Sequence, residues 1–222
     1  MSSEFIDEFT NENINKVFVS LGNYCLTSML LKKNNLKYES HPFDWMVTCI
    51  DNVIEIFDNN FVDFLDTKNY EIQQNLTTKN IKYFSKSKKL FPTITEDHMH
   101  HNLLTDESYQ YLYRTVERVK NLHLRFEKIV FIMIQPLYLN NTDLDIEKIK
   151  KLYDVLYNIY GNKMKLVIFN IIKECNYEFK KDILNENLIM IELDTTMEIG
   201  YQGMKYFDSE GIKKFIQIIN EI

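Results

Sequence analysis

The chain has 222 residues, of which 45% are hydrophobic and 26% charged, which is enough for a globular domain with a sizeable core. A net charge of −6 without a long basic block excludes a dedicated nucleic-acid surface, and no apolar run approaches the roughly 18 residues that cross a bilayer. The first ten residues lack a signal-peptide pattern, and the three cysteines have the spacing of neither a disulfide framework nor a zinc site. We therefore expect a soluble, cytoplasmic protein with no membrane or nucleic-acid partner, no metal and no cofactor.

Short apolar runs along the chain predict the buried strands of a parallel sheet. They are Val17–Leu21, Ile129–Ile134, Met164–Ile172 and Leu188–Leu193. Apolar residues at helical spacing predict helices at 51–65, 107–126 and 142–160, and a last helix that begins near Asp208 or Ser209. Alternation of strands and helices predicts one α/β domain over residues 1–222, with a mainly parallel, Rossmann-like sheet in three layers.

The stretch from residue 66 to residue 105 has the least regular pattern of the chain. It contains many polar residues, Pro92 and a cluster of histidines. We expect an irregular insertion here, which covers one end of the sheet as a lid.

The first predicted strand is followed by Gly22 and, three residues later, by Cys25 at the start of a helical pattern. Ligands of open parallel sheets bind beyond the carboxyl ends of the strands. The N–H groups and positive end of a helix favour a thiolate over a thiol, so Cys25 is a candidate nucleophile. The alternative is a small buried residue that packs the helix onto the sheet. Cys49 and Cys175 do not follow a glycine in this way, and we expect both in the core.

One motif around Cys25 has a fairly specific spacing. Its residues are Ser20, Leu21, Gly22, Cys25, Ser28 and Leu31, then Ser40, Pro42, Phe43, Asp44 and Trp45. With this SLGxxCxxS…PFDW pattern the chain resembles a family of papain-like cysteine peptidases over roughly its first 135 residues. The resemblance implies a cysteine nucleophile, a histidine after the PFDW block, and a papain-like α+β fold as the alternative to the Rossmann-like sheet.

The histidines that could serve as the base form one short run. They are His98, His100 and His101, and a metal site formed by His98 and His100 with Asp97 is the alternative use of this run. We favour His101, because a polar amide follows it and an apolar segment then leads into a long helix. Asp44 would orient the histidine, or alternatively would cap a turn. His41 precedes a proline and could also reach the site, although a surface or turn position is the stronger expectation.

These residues together predict a cysteine-dependent hydrolase, of peptidase, amidase or acyl-transfer type. The Cys25 thiolate would attack a carbonyl carbon, while backbone N–H groups near Gly22 and the side chain of Asn23 hold the oxyanion. The substrate is a peptide or a small amide or ester, and the oligomeric state stays open. Neither HExxH nor a glycine-rich phosphate loop is present. The alternative is a non-catalytic binding or effector domain that keeps the motif for structural reasons.

Overall fold

The computed structural model describes residues 15–22, 25–46, 48–74, 83–87, 104–135, 145–172, 179–195, 197–199 and 205–222. The strands are β1 (Lys16–Ser20), β2 (Tyr70–Gln74), β3 (Tyr83–Ser87), β4 (Lys128–Gln135), β5 (Met164–Ile172), β6 (Phe179–Asn185), β7 (Leu188–Asp194), β8 (Met197–Ile199) and β9 (Lys205–Phe207). The helices are α1 (Leu26–Lys33), α2 (Ile50–Asp58), α3 (Val62–Leu65), α4 (Asp106–Lys120), α5 (Leu122–Arg125), α6 (Ile146–Tyr160) and α7 (Ser209–Asn220), and 3₁₀ turns cover Thr67–Asn69 and Gly161–Lys163.

The main sheet has the strand order β1-β4-β5-β7-β6. Its first four strands run parallel to their neighbours, and β6 is an antiparallel edge strand beside β7. This confirms the four predicted parallel strands and the α/β class. β6 was not predicted because it is half exposed and carries polar residues, whereas the parallel strands are almost continuously buried.

Side chains of the sheet alternate between two clusters of core residues. In β4, Ile129, Phe131 and Met133 enter the first cluster, with residues of α2, α4 and α6. The intervening residues of β4 enter the second cluster, with Leu26, Leu30 and Leu31 of α1 and with residues of α7. Helix α1 is therefore held on the sheet by its leucines, directly after the end of β1.

The predicted helices exist, but two of the long ones are interrupted. Residues 51–65 form α2 and α3, because Asn60 and Phe61 adopt left-handed conformations with φ of 54° and 64°. Residues 107–126 divide at Asn121 into α4 and α5. The last helix begins as predicted, since Asp208 accepts a hydrogen bond from the backbone N–H of Gly211 at 2.8 Å.

The segment expected to be an irregular insertion contains regular structure in its described part. β2 and β3 form an antiparallel pair, with register from Tyr70↔Ser87 to Gln74↔Tyr83. Residues 75–82 and 88–103 lie outside the described residues, so the lid stays a prediction. A second small antiparallel pair joins β8 and β9. None of the helices in the described ranges has the length and apolar character that a bilayer crossing requires.

Candidate active site at the end of the first strand

A glycine turn connects β1 to the segment that carries Cys25. Gly22 has a φ of +84°, and a Cβ at this position would lie 2.2 Å from the Thr48 hydroxyl oxygen. That hydroxyl donates a hydrogen bond to the Leu21 carbonyl at 2.8 Å, so Thr48 is fixed against the turn. Only glycine fits both the conformation and the space. The Gly22 N–H donates to Ser20 Oγ at 3.2 Å and is thus already engaged, and its oxyanion role stays a prediction. Asn23 lies outside the described residues.

Cys25 is the N-cap residue of α1 and is partly exposed. Burial is the largest effect and raises the pKa of its thiol above the usual value. A hydrogen bond from the backbone N–H of Cys25 lowers this pKa, and the negative charge of Asp44 raises it further. The expectation of a lowered pKa is therefore wrong for the described surroundings. Desolvation and a nearby carboxylate outweigh the field of the helix end.

Cys49 has a setting that the sequence analysis did not anticipate. It is the N-cap residue of α2, is partly exposed rather than in the core, and donates from Sγ to Asn52 Oδ1 at 2.9 Å. Because its neighbour Thr48 contacts Gly22, both described thiols precede helices near the end of β1. Cys175 lies outside the described residues.

Asp44 lies in a buried network that joins the PFDW turn to α1. Its side chain is almost fully buried, and its Oδ2 accepts hydrogen bonds from the backbone N–H of His41, at 2.7 Å, and from the Lys37 ammonium. Lys37 Nζ also donates to Ser28 Oγ at 2.6 Å. Burial lowers the pKa of Lys37, and the ion pair with Asp44 opposes that effect. The network thus connects Asp44 through Lys37 to Ser28, one helical turn beyond Cys25. By accepting the His41 N–H, Asp44 also caps the turn, the role that the sequence analysis offered as the alternative to orienting a histidine.

Sequence reasoning missed Lys37, because one lysine among 23 carries no local signal. Its partner Ser28 belongs to the motif, but a serine on a helix gives no indication of which cation it contacts.

His41 is buried, with 2% of its surface exposed, so the expected surface position is wrong. The expected turn position is confirmed, because the Asp44 N–H donates to the His41 carbonyl at 3.3 Å. Its Nε2 is 3.4 Å from Glu39 Oε1, and among the described residues neither ring nitrogen makes a well-formed hydrogen bond. Glu39 accepts two hydrogen bonds from Arg125, at 2.8 and 2.9 Å. Burial raises the pKa of Glu39, but the contacts with His41 and Arg125 outweigh it and hold the pKa at about 2. The loop before Asp44 is therefore anchored to the end of α5.

The aromatic residues of PFDW have different surroundings. Phe43 is fully buried, and its ring centroid lies 5.7 Å from that of Phe57, 6.1 Å from Phe61 and 6.0 Å from Phe64. It thus packs beside α2 and α3. Trp45 is partly exposed and has the Lys37 ammonium 5.2 Å from its ring centroid.

The structure brings Cys25 and Asp44 close enough for the charge of one to act on the other. His98, His100 and His101 all lie outside the described residues, so the identity of the base stays a prediction. Over the described ranges, no three His, Cys, Asp or Glu side chains are grouped so that they could hold a metal ion.

The comparisons with known proteins concern the same part of the chain. The model of a family described as "Putative papain-like cysteine peptidase (DUF1796)" matches residues 16–172, from the first residue of β1 to the last of β5. No curated protein and no solved structure matches the chain. The match extends beyond the 135 residues over which the motif had suggested it, and includes the glycine turn, Cys25 and the buried network around Asp44. With more than half of its length matched, the chain belongs to this family.

Proposed function

We propose that the protein is a cysteine-dependent hydrolase with Cys25 as its nucleophile. The observation that carries the proposal is the position of the thiol. Cys25 is partly exposed, follows a turn that only Gly22 can form, and lies beyond the carboxyl end of β1, where parallel sheets bind ligands. Family membership supports the same chemistry at a coarser level.

The proposed reaction begins when Cys25 Sγ attacks the carbonyl carbon of a peptide, a side-chain amide or a small ester, forming an S–C bond. The thiol proton passes to an imidazole of the 98–101 run, for which His101 is the first choice, and then to the amine or alcohol, which leaves as its C–N or C–O bond to the acyl carbon breaks. Water next cleaves the thioester, which releases the acid and restores the thiol. Backbone N–H groups at the start of α1 and the amide of Asn23 would stabilise the oxyanion.

The surroundings of Cys25 make a base essential to this proposal. A raised pKa leaves little thiolate at neutral pH, so a histidine must either accept the proton during attack or form an imidazolium beside the sulfur. Asp44 would orient that histidine by accepting a hydrogen bond from it, on carboxylate lone pairs that Lys37 and the His41 N–H do not use.

A non-catalytic binding or effector domain is the second candidate, and one observation favours it. The hydrogen bonds among Ser28, Lys37 and Asp44 use polar residues of the motif to fasten its two halves together. The raised pKa of Cys25 agrees with this role, because it disfavours the reactive form of the thiol.

We also propose that the domain has a Rossmann-like, three-layer arrangement and that residues 1–222 form one unit. The support is that α2, α4 and α6 pack with one set of alternating strand residues, whereas α1 and α7 pack with the other set.

The test is the pH dependence of labelling by iodoacetamide, with each thiol followed by mass mapping from pH 5 to 10. We expect His101→Ala to raise the apparent pKa of Cys25 and to slow its labelling at pH 7. Cys25→Ala should abolish hydrolysis of an activated ester, whereas Cys49→Ala, the matched control, should retain it. If replacing His98, His100 and His101 in turn leaves the Cys25 profile unchanged, the hydrolase is refuted and the binding domain is favoured.

A further inference from the structure

The arginines of this chain are concentrated in one place. The chain has 23 lysines but only three arginines, and all three lie between residues 114 and 125, on α4 and α5. They line one open pocket of about 340 Å³, which we call the arginine pocket. Its lining residues are Tyr113, Arg114, Glu117, Arg118, Asn121 and Arg125. Because the chain otherwise uses lysine for positive charge, we look for a property of arginine that lysine lacks.

Guanidinium differs from ammonium in the shape of its hydrogen bonding. Its planar fork matches the two oxygens of a carboxylate or phosphate, whereas a lysine offers a point charge. The wall of the pocket already shows this chemistry. Arg125 holds the Glu39 carboxylate through two hydrogen bonds, at 2.8 and 2.9 Å, and Arg118 Nε lies 3.9 Å from the same carboxylate.

Arg114 is the member of the cluster that these contacts do not use. It is exposed and lies one helical turn before Arg118, so both side chains are on the same face of α4. Over the described residues, no carboxylate lies within 4.0 Å of its guanidinium. Tyr113 beside it is 43% exposed, and the surface inside the pocket is mostly apolar. Such a surface fits the tyrosine ring and the alkyl stems of the arginines, with the charged heads at the rim.

We propose that the arginine pocket binds a ligand that carries an oxyanion, a carboxylate or a phosphate, on an aromatic body. The oxyanion is held by the guanidinium groups of Arg114 and Arg118, and the aromatic body lies against Tyr113. The pocket is lined by three arginines and one acid, Glu117; with Glu39, which pairs with Arg118 and Arg125, these five side chains have a net charge of +1 in a protein whose net charge is −6.

This site is separate from Cys25 and goes beyond the proposed hydrolase. Arg125 lies three residues before the first residue of β4, whereas Cys25 lies five residues after the last residue of β1. β1 and β4 are parallel neighbours in register, with Lys16 beside Lys128. The arginine pocket is therefore at the amino end of the sheet, and Cys25 is at the carboxyl end.

The test is NMR-monitored titration of the full chain with phenyl phosphate and with benzoate. Inorganic phosphate supplies the anion without the ring, and benzyl alcohol supplies the ring without the anion. We expect at least one of the aromatic anions to saturate a single site more tightly than either control. Tighter binding of phenyl phosphate identifies a phosphate ligand, and tighter binding of benzoate identifies a carboxylate.

Variants of Arg114 assign the site, since this exposed residue can be changed with little risk to folding. Arg114→Gln should weaken binding by about tenfold or more, the usual loss for a charge-assisted hydrogen bond. Arg114→Lys keeps the charge but loses the fork, and should lie between Arg114→Gln and the wild type. Lys150→Gln on α6, which removes one positive charge elsewhere, is the matched control and should leave binding unchanged.

A gain of affinity completes the test, because partial unfolding cannot produce one. Glu39→Gln removes the carboxylate that competes for Arg118 and Arg125, and should tighten binding of the aromatic anion. Absence of saturable binding by both aromatic anions overturns the proposal. So does an equal loss in Arg114→Gln and Lys150→Gln, which would indicate an effect of net charge alone.

Discussion

Replacing Asp44 with Asn should destabilise the protein by about 3–5 kcal/mol, the usual cost of removing one partner of a buried ion pair. The side chain of Lys37 is 8% exposed and that of Asp44 is 2% exposed, so neither charge can turn to water without opening the loop. Asn can still accept the hydrogen bond from the His41 N–H, so the loss reports mainly on the charge pair. Lys37→Met removes the other partner and should have a cost of similar size.

A double-mutant cycle measured by urea unfolding separates the pair from its surroundings. Lys37→Met combined with Asp44→Asn should be less destabilised than the two single changes predict together, with a coupling free energy above about 1 kcal/mol. The exposed pair of Lys148 and Asp51, at 2.6 Å, is the matched control and should give about 0–1 kcal/mol. A coupling no larger than in this control, or a loss below about 1 kcal/mol in Asp44→Asn, would refute the reasoning.

The same variant should change the chemistry of Cys25 in a defined direction. Asp44 is an anion that raises the pKa of the thiol, so its neutral replacement should lower that pKa. Alkylation of Cys25 should then become faster at pH 7–8, relative to Cys49 in the same molecule. A pKa of Cys25 that stays constant or rises in Asp44→Asn would contradict the position given to this carboxylate.

Two further predictions concern the turn and the loop beside this network. Gly22→Ala should destabilise the fold far more than Gly161→Ala. Both glycines have a positive φ, but only at Gly22 does the Thr48 oxygen lie 2.2 Å from the new Cβ. Equal losses of stability in urea unfolding would contradict this. Glu39 has its pKa lowered from 4.5 to about 2, so its stabilisation, at most about 3 kcal/mol, is present above pH 4.5 and disappears as the pH falls towards 2. Glu39→Gln should lack this acid dependence, and parallel acid unfolding curves would count against it.

How far the sequence predicts the fold depends on where each element obtains its stability. The parallel strands are buried on both faces, so they are continuous apolar runs that are visible without any partner; β5 was predicted to the residue. β6 has only one protected side and polar residues, so its pairing with β7 cannot be recognised from the pattern. The division of residues 51–65 does have a local signal that the sequence analysis passed over, because Asn60 belongs to the residue type that, after glycine, most readily adopts the left-handed conformation at a helix end.

The candidate site also contains features that the sequence predicts and features that depend on tertiary contacts. An apolar run followed by glycine and a helical pattern indicates the turn before Cys25, and that inference needs only neighbouring residues. The contact of Glu39 with Arg125 joins residues 86 positions apart, and no spacing rule predicts it. The direction of the Cys25 pKa was predicted incorrectly for a related reason: a helix end is a local feature, whereas burial and the charge of Asp44 depend on the tertiary structure.

Several residues of the SLGxxCxxS…PFDW motif make contacts that stabilise the fold, so the presence of the motif does not by itself indicate catalysis. Ser28 and Asp44 meet at Lys37, Gly22 makes room for Thr48, and Phe43 fills the core. Cys25 is different, because it is the N-cap residue of α1 but its side chain makes no capping hydrogen bond to that helix, at a position where serine, threonine, aspartate or asparagine is preferred. A thiol there is a poor choice for helix stability alone. Loss of activity in variants of Ser28 or Phe43 would therefore report on folding, whereas Cys25→Ala isolates the chemistry of the sulfur.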